Sequence, residues 1–473
     1  MANDLARVGV DARTRVLLEG PILSTLLRLA TPNVLVMLVQ ASVGLIETYF
    51  IGKLGTDALA GVTLVFPVLM LMQMMSGGAM GGGISSAVAR ALGAGRRADA
   101  DALAFHALVI GLVFGLGFTL AVLGGGRWLY AAMGGRGASL AAALTYSNVI
   151  FSAAVLVWLF NSLANVIRGS GNMVVPAVVT SAGALVLIPL SPALIFGWGP
   201  FPRLGIAGGA VAVVAYYLAG TVALVLYLRS RRSLVHLSAG ALSLRWTLFR
   251  DILRVGIVAA LVTITTNLTV AITTGLVGRL GPAAIAGYGT GARLEYLLVP
   301  LVFGLGGPLV AMVGTNIGAG QRERALRAAW TGAAIATGLA EIIGLAAATA
   351  PRVWLGLFDT DPAMLDAGSR YLHAVGPFYG FFGLGMALYF ASQGAGQVLW
   401  ALLANLARLA IATVGGWLAL HSGGSLSPVF LALSMALMAF GLINAAAVVG
   451  GAWFGPIRWP VPRRTYEVAR DAT

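Results

Sequence analysis

Three glutamates lie inside long apolar segments of this chain. Of its 16 acidic residues, only Glu47, Glu295 and Glu341 occupy such positions. An ionised side chain at the centre of a lipid bilayer costs about 3 kcal/mol on insertion scales, and burial favours the neutral form of a carboxyl group. Such an acid can load and release a proton, or pair with Na⁺, and its charge state then biases two conformations of a protein. Ion-coupled transport requires a group of this kind.

Glu47 belongs to a polar stripe on the first apolar segment. Asn33, Gln40 and Glu47 are spaced by seven residues, or two helical turns, so they share one face of a helix. Polar side chains on one face of an apolar helix predict contact with a cleft or with another helix. We interpret Glu47 as an ion-coupling residue. The alternative is a glutamate near the membrane surface whose side chain reaches water.

Glu295 lies near the middle of the eighth apolar segment, with Tyr288 seven residues earlier on the same face. Residues two apart on a helix do not face each other, so Arg293 pairs with Glu295 only where the helix unwinds. Arg408 of the eleventh segment is the other cation expected to balance this acid. Glu295 is therefore either an ion-coupling residue or half of a structural charge pair. For Glu341, which belongs to no motif, a structural or protonated role is favoured.

Methionine, aromatic and amide side chains in these segments suit the wall of a substrate cleft. Methionine is unbranched and polarisable, and aromatic faces attract organic cations. The predicted cleft residues are Asn33, Gln40, Met74, Trp158, Asn161, Asn165, Tyr288, Phe378, Tyr379 and Phe382. Ordinary packing, lipid contact and anchoring at the membrane surface are the alternatives for each of them.

The composition predicts the elements that must position these residues. The 473 residues are 59% hydrophobic and only 10% charged, with a mean hydropathy of +0.91, whereas a soluble domain carries about 25% charge. Twelve apolar segments are each long enough to cross a bilayer about 30 Å thick. We place them at 24–51, 58–86, 102–124, 143–167, 174–197, 206–228, 255–277, 283–314, 326–349, 369–392, 398–420 and 428–454. Because the chain contains no cysteine, disulfides and thiolate metal sites are excluded.

The sequence repeats itself with a constant shift. Three motifs recur 225 or 226 residues later (for example, 278 − 52 = 226): Gly52–Gly55 at Gly278–Gly281, Leu92–Gly95 at Ile317–Gly320, and Arg168–Asn172 at Gln393–Gln397. Duplication of a hydrophobic bundle is typical of secondary transporters, which handle their cargo between the two halves. The expected units are a tail at 1–20, an N-lobe at 21–228, a connector at 229–254, a C-lobe at 255–454 and a tail at 455–473.

Positive charge is distributed unevenly between the two sides of the predicted segments. About 21 cations lie in the tails and the loops of one side, against about seven in the opposite loops. This asymmetry predicts that both termini are cytoplasmic. The net charge of +14 is spread over short loops rather than over one basic face, so no nucleic-acid partner is expected. Residues 1–20 lack the pattern of a cleaved signal peptide.

The ordered motifs resemble the multidrug and toxic compound extrusion (MATE) family, nearer its DinF-like branch. The first segment ends in an acid, a threonine and a Gly-Lys-Leu-Gly stretch at Glu47–Gly55, followed by Ala58–Ala60. The eighth segment contains Arg-Leu-Glu at Arg293–Glu295 and Val-Gly-Thr-Asn-Ile-Gly-Ala-Gly at Val313–Gly320. These stretches correspond to the family's pattern in the same order, and the resemblance covers nearly the whole chain.

The resemblance implies an all-α polytopic membrane protein. It implies twelve helices in two six-helix lobes that are related by a pseudo-twofold axis and form a V-shaped cleft. It also implies a monomer in the bacterial inner membrane that exports organic cations or amphipathic compounds in exchange for H⁺ or Na⁺, with no other cofactor. The chain departs from the DinF-like pattern in its fifth segment, where Leu187 and Ser191 replace an Asn and an Asp that would join the first-segment acid.

Other function classes agree less well with the sequence. An enzyme within the membrane would need clustered catalytic side chains, but the four histidines are scattered and no His-Glu-x-x-His spacing occurs. A channel would more often assemble from several copies with a repeated pore helix. A flippase for a lipid or another amphipathic substrate on the same scaffold remains the main alternative to an antiporter.

Overall fold

The computed structural model describes residues 11–237, 243–421 and 425–454. Within those ranges every regular element is a helix. Helices are expected here, because a chain in lipid must satisfy its backbone hydrogen bonds internally. The predicted all-α fold class is confirmed. Residues 1–10 and 455–473, which make up most of the two expected tails, lie outside the described residues.

The N-terminal half contains nine helices within the described residues. They are α1 (Ala12–Glu19), α2 (Ile22–Gly52), α3 (Thr56–Gln73), α4 (Gly81–Gly93), α5 (Arg97–Ala132), α6 (Gly137–Ser152), α7 (Ala154–Gly169), α8 (Val174–Phe196) and α9 (Ile206–Arg229). A π-helix, Met74–Met80, joins α3 to α4, so these three pieces form one span.

Ten helices make up the described part of the C-terminal half. They are α10 (Trp246–Gly278), α11 (Pro282–Ala292), α12 (Glu295–Gly318), α13 (Arg322–Thr349), α14 (Pro351–Leu355), α15 (Pro362–Val375), α16 (Tyr379–Ala395), α17 (Leu399–Ala410), α18 (Gly416–His421) and α19 (Leu426–Val449). Because α10 begins at Trp246, residues 246–254 of the expected connector are helical. A π-helical turn at Ile411–Gly415 joins α17 to α18.

The twelve predicted membrane segments are found as helices. In the described part of the chain, eleven helices are long and apolar enough to cross a membrane, and the bent pair of α6 and α7 makes twelve. The eighth segment is interrupted, since α11 ends at Ala292 and α12 begins at Glu295. Helix ends therefore occur within the membrane region beside one of the predicted acids.

The fourth span of each half is broken at an equivalent point. The axis bends by 49° between α6 and α7, at Ala153. In the second half, a 3₁₀ turn at Gly376–Phe378 separates α15 from α16, and its last residue lies 378 − 153 = 225 positions later. The N-terminal break is held by the Thr119 hydroxyl, which donates to the Phe151 carbonyl oxygen at 2.7 Å. The repeat thus extends to irregular backbone as well as to motifs.

Each half encloses its own hydrophobic core. One core is built from α2 to α9, with Leu248 and Ile252 of α10 added. The other is built almost entirely from α10 to α19, with Leu26 and Ala30 at the start of α2 among its few contributions from the first half. The molecule therefore consists of two lobes, and the two first helices α2 and α10 each reach across to the opposite lobe.

The lobes meet at the end of the helices next to the connector. Arg90 of α4 donates to Asp251 of α10 at 2.7 Å and to the Gly394 carbonyl oxygen of α16 at 3.2 Å. Gly93 lies so close to the Thr315 backbone that an added β-carbon would clash. Inter-lobe packing uses mainly α2, α4, α10, α12 and α16. This closed end is the apex of the predicted V, and the cleft widens toward the opposite end.

Candidate functional site

Glu47 lies on α2 and faces the interior of the N-lobe. Its Oε1 accepts a hydrogen bond from the Tyr146 hydroxyl of α6 at 3.0 Å. A cavity of about 10 Å³ is lined by Glu47 together with Leu187 and Ser191 of α8. Such a space holds about one water molecule. Glu47 therefore combines one fixed hydrogen bond with a small adjoining space whose surface is apolar.

The surroundings of Glu47 contain little else that is polar. Leu187 contributes no polar group, and the Ser191 hydroxyl is buried with no hydrogen-bond partner among the described residues. These are the two positions at which the family resemblance expects an Asn and an Asp. In the same described residues, no group of three or more His, Asp or Glu side chains is arranged to hold a metal ion. Any cation bound here would rely on Glu47 and neutral oxygens.

Glu295 is the first residue of α12 and faces an aromatic cluster in the C-lobe. Its Oε1 accepts a hydrogen bond from the Tyr371 hydroxyl of α15 at 3.2 Å. The Tyr371 hydroxyl in turn lies 3.2 Å from that of Tyr379, and the Tyr288 ring meets the Tyr371 ring edge to face at 5.2 Å. Tyr288 and Tyr379, which the sequence predicts in the cleft, are thus buried in one cluster with the acid and do not line an open cleft in this structure.

Arg408 and Arg293 differ in their relation to Glu295. The buried Arg408 of α17 interacts electrostatically with Glu295, and its guanidinium lies 5.8 Å from the ring centre of Phe382, a predicted cleft residue. Arg293 is exposed and lies over the Phe358 ring at 5.6 Å. The interruption between α11 and α12 turns it away from the acid. The expected pairing of Arg293 with Glu295 is therefore wrong. Arg408 lies near enough to interact with the acid, but its Nη1 atom is buried without a hydrogen-bond partner among the described residues, so its role as a charge partner stays a prediction.

Asn161 and Asn165 form hydrogen bonds with a segment of irregular backbone. Asn161 donates to the Ser76 hydroxyl at 2.9 Å, and Asn165 donates to the Gly77 carbonyl oxygen at 3.2 Å. Both partners lie in the π-helix Met74–Met80, a conformation that disturbs the regular hydrogen-bond ladder. Their amide donors are therefore already used within the lobe, and the prediction that these asparagines line the cleft stays a prediction.

The remaining predicted cleft residues differ in exposure. Trp158 is 0% exposed and its ring stacks on Phe114 at 5.2 Å, so it is a core residue and the prediction for it is wrong. Phe378 is half-buried and stacks on Phe381 at 6.2 Å. Met74 is half-buried in the π-helix. Aromatic and apolar residues look alike in sequence whether they face a core or a cleft, which explains the mixed result.

The polar stripe on α2 meets three different surroundings. Asn33 is buried and donates to the Gly304 carbonyl oxygen of α12 at 3.2 Å, so it links the two lobes rather than lining a cleft. Gln40 is exposed and neighbours the Tyr216 hydroxyl of α9. Glu47, two turns further on, faces α6. The stripe faces helices and open space as predicted, but only Gln40 retains the exposure that a cleft residue needs.

Glu341 stabilises the start of a helix. Its Oε2 accepts a hydrogen bond from the Gly380 backbone N–H at 2.8 Å. Gly380 lies in the first turn of α16, where backbone N–H groups have no partner within the helix. A negative charge at this end also interacts favourably with the helix dipole. The structural role favoured by the sequence agrees with this geometry.

Sequence reasoning missed the two tyrosines that bind the acids. Tyr146 and Tyr371 donate to Glu47 and Glu295, respectively. They are separated by 371 − 146 = 225 residues, the shift already found in the repeat. Aligning the halves for shared hydrogen-bonding residues, and not only for glycine motifs, would have found them.

Comparisons with known proteins identify the relatives of this chain. The family model described as MatE matches residues 32–193 and 259–418. The chain is 29% identical over 402 residues to the "FAD transporter" of Shewanella oneidensis, covering 84% of this chain and 87% of that one. It is 25% identical over 375 residues to the "Probable multidrug resistance protein NorM" of Thermotoga maritima, covering 79% and 80%.

A solved structure shares the fold. The crystal structure of a MATE protein in the bent conformation superposes with a TM-score of 0.82 at 22% identity, covering 92% of this chain and 96% of that one. Identity at this level supports the arrangement of the helices alone. The arrangement of the helices is therefore one that is found in a crystal as well as in this chain.

Proposed function

Because the chain belongs to the MATE family of membrane transporters, we propose that it is a secondary antiporter which exports organic cations or amphipathic compounds in exchange for H⁺ or Na⁺. The coupling ion is the only cofactor in this proposal. Alternating access between the two lobes carries the cargo across. Similarity to a relative named as a multidrug resistance protein supports this cargo class.

One observation supports ion coupling more than any other. Glu47 is fixed by Tyr146 and adjoins a water-sized cavity inside an apolar lobe. A carboxyl group in that setting exchanges its charge for a bound proton or cation, and only the neutralised form is inexpensive to bury. Binding of the ion therefore changes the charge inside the lobe, which is what a conformational switch needs.

The proposed placement follows from the charge asymmetry. We infer a multi-pass monomer of the bacterial inner membrane with both termini in the cytoplasm. The connector end, where Arg90 joins the lobes, then faces the cytoplasm, and the wide end of the cleft faces outward. In this arrangement the molecule is closed to the cytoplasm and ready to release cargo.

A second function is favoured by one comparison. The relative named as an FAD transporter points to an amphipathic metabolite with negative charge. A flippase or exporter for such a metabolite, or for a lipid, would use the same two lobes. It differs from the antiporter in that its movement of cargo does not depend on an ion gradient.

Transport in proteoliposomes tests the antiporter. Purified protein is reconstituted, a fluorescent organic cation is supplied, and a pH gradient and a Na⁺ gradient are imposed separately. Glu47→Gln and Glu295→Gln are measured beside Glu323→Gln, a control acid whose side chain is 93% exposed. We expect one gradient to drive transport in the wild type and in the control.

The outcomes separate the two functions. Loss of gradient-driven transport in Glu47→Gln supports coupling at that residue. Transport that proceeds equally well with no gradient would exclude the antiporter and favour the flippase. If Glu323→Gln lost activity as well, the effect would be ascribed to general loss of acidic charge, and the assignment of Glu47 would be withdrawn.

A further inference from the structure

A cavity opens on the C-lobe at the end of the molecule opposite the connector. It has a volume of about 490 Å³ and lies among α13, α14 and α15. Small-molecule sites in proteins have volumes of about 300–1,000 Å³. The polar and charged residues that line it are Thr349, Arg352, Asp366, Ser369, Arg370 and His373. Polar groups from three helices therefore converge on one space that is large enough for a ligand.

The cavity lies at one edge of the membrane region. Just before α13, Gly318 is so close to the Arg90 backbone that an added β-carbon would clash, so α13 begins near the closed end of the lobes. Its 28 residues extend about 42 Å, which brings Thr349 to the opposite face. Arg370 lies at the start of the tenth predicted segment, 369–392. The cavity is therefore at the depth of the lipid head groups, on the side that we infer to face outward.

The charged side chains of the cavity leave a net positive charge. The Nε of Arg370 donates to the Asp366 carboxylate at 2.8 Å, and these side chains are 50% and 60% exposed. Arg352 is exposed and forms no ion pair among the described residues. Two arginines and one aspartate give 2 − 1 = +1, the complement of a phosphodiester with one negative charge. The loops of this side contain only about seven cations, and two of them meet here.

Ser369 and His373 add neutral hydrogen-bonding groups to the cavity. The Ser369 hydroxyl oxygen is buried and has no hydrogen-bond partner among the described residues. A bound acceptor would offset the cost of leaving such a hydroxyl unpaired. His373 is exposed, and a neutral imidazole donates one N–H. Asp366, Arg370 and His373 follow each other at steps of four and three residues, so they share one face of α15.

An exposed apolar stripe on α13 leads to the cavity. Ile342 and Leu345 are 67% and 45% exposed. Thr349 follows them by seven and four residues, so all three share one face of the helix. Val353 of α14 is 74% exposed and lines the cavity itself. Exposed apolar side chains of a spanning helix contact the lipid tails, which are as apolar as leucine. A polar cavity at the end of such a stripe fits a ligand that has a charged head and apolar chains.

We propose that this cavity binds the phosphate group of an anionic phospholipid of the outer leaflet, whose acyl chains lie along the exposed face of α13. The guanidinium of Arg352 supplies two parallel donors that match the phosphate oxygens. Arg370 adds the second positive charge, and the Ser369 hydroxyl donates to the head group. Basic pockets between spanning helices bind lipid head groups in this way. The lipid is a ligand of the outer surface of the C-lobe, so the proposal depends neither on the cargo nor on the coupling ion.

Lipid titration followed by native mass spectrometry of the full-length protein tests the proposal. Dioctanoyl phosphatidylglycerol and dioctanoyl phosphatidylcholine share the phosphate and the acyl chains, but only the first has a net negative charge. We expect the wild type to bind phosphatidylglycerol about tenfold more tightly than phosphatidylcholine. Arg352→Gln should bind phosphatidylglycerol about fivefold more weakly than the wild type, and the double variant with Arg370→Gln should lose the preference. Asp366→Asn removes a competing carboxylate and should bind phosphatidylglycerol about twofold more tightly.

Arg127→Gln is the matched control. Arg127 is the N-lobe equivalent of Arg352 (352 − 127 = 225), but Thr145 takes the place of Arg370 in that lobe (370 − 145 = 225). The control therefore removes one cation from the same side of the membrane at a position without the second arginine. We expect its affinity for phosphatidylglycerol to equal that of the wild type. This comparison separates a specific site from general attraction between a basic surface and an anionic lipid.

Equal affinities of the wild type for the two lipids, or equal losses in Arg352→Gln and Arg127→Gln, would overturn the proposal. Inorganic phosphate is added as a competitor, and its displacement of the lipid at equimolar concentration would show a site for free anions instead of a lipid site. Should Arg352→Gln fail to fold, Asp366→Asn decides, because misfolding does not increase affinity. Failure of transport in proteoliposomes would leave these binding results unchanged, since the cavity lies outside the space between the lobes.

Discussion

In each lobe a carboxyl group accepts a hydrogen bond from a tyrosine. The two tyrosines occupy equivalent positions in the repeat, but the two acids come from different helices. Tyr146 and Tyr371 lie 225 residues apart, and each donates to a glutamate. Glu47 comes from the first span of its lobe, where the C-lobe has Thr273 (273 − 47 = 226). Glu295 comes from the second span of its lobe. Divergence after duplication has therefore kept the hydrogen-bond donor and moved the acid.

The lobes also differ in the charge beside the acid. Arg408 neighbours Glu295, and the equivalent N-lobe position is Gly183 (408 − 183 = 225). A β-carbon on Gly183 would clash with the Tyr216 ring, so an aromatic residue fills that region of the N-lobe instead. Glu47 has a small cavity where Glu295 has a cation. We therefore expect the N-lobe acid, rather than the C-lobe acid, to exchange ions, because Arg408 already interacts electrostatically with Glu295.

The largest expected effect separates the two acids. Glu47→Gln removes the only group at its cavity whose charge can change, so gradient-driven transport in proteoliposomes falls by more than about tenfold. Glu295→Gln leaves that cavity intact and lowers transport by about threefold or less. The comparison of the lobes would be reversed if Glu295→Gln abolished coupling while Glu47→Gln retained it. Both variants are first checked for unchanged melting temperature in detergent.

The next effect concerns the charge partner of the C-lobe. Arg408→Leu leaves Glu295 without its compensating cation and removes the contacts with the Phe382 and Phe440 rings, so we expect destabilisation by about 2 kcal/mol. In the double variant Arg408→Leu with Glu295→Gln, about half of this loss should be recovered, because no charge remains buried. Unfolding of the wild type, the two single variants and the double variant in detergent measures this double-mutant cycle. Strict additivity of the two changes would show that the acid and the cation are energetically independent.

Some properties of the candidate site can be predicted from the sequence, and others cannot. The membrane segments and the three enclosed acids follow from composition, because lipid excludes charge and any exception is visible in the sequence. The side-chain environment does not follow in the same way. Trp158 and Tyr379 are both aromatic residues of a fourth span, but Trp158 stacks on Phe114, whereas the hydroxyl of Tyr379 contacts that of Tyr371, which binds Glu295. Only packing distinguishes them.

Breaks in helices explain other differences between the sequence-based predictions and the structure. Arg293 is two residues from Glu295, and their relation depends on whether the helix continues between them; the interruption sends Arg293 to Phe358. The sequence alone does not indicate that the amide side chains of Asn161 and Asn165 bind a π-helix. Five of the seven residues at 77–83 are glycines, a composition that permits unusual backbone. It does not state which side chains satisfy the groups that such backbone leaves unpaired.

The tyrosines provide a smaller and more direct test of the comparison. Tyr146→Phe removes one hydrogen bond to Glu47, which is worth about 1 kcal/mol. Tyr371→Phe removes contacts with both Glu295 and Tyr379, so its cost should be about twice as large. Thermal unfolding of the two variants side by side measures the difference. Equal losses would mean that the Tyr371–Tyr379 contact contributes nothing, and the C-lobe cluster would be no more extensive than that of the N-lobe.

The smallest effects are expected where the two fourth spans break. Glu341 accepts from the Gly380 N–H at the start of α16, and replacing such a capping group by alanine costs about 1 kcal/mol. The N-lobe break is held by a neutral bond from Thr119 to the Phe151 carbonyl oxygen, and Thr119→Val should cost about 0.5 kcal/mol. Glu341→Gln keeps an acceptor oxygen and should lose less than Glu341→Ala. If Glu341→Gln also stopped gradient-driven transport at unchanged stability, the charge of Glu341 would take part in coupling, and the C-lobe would contain two functional acids against one in the N-lobe.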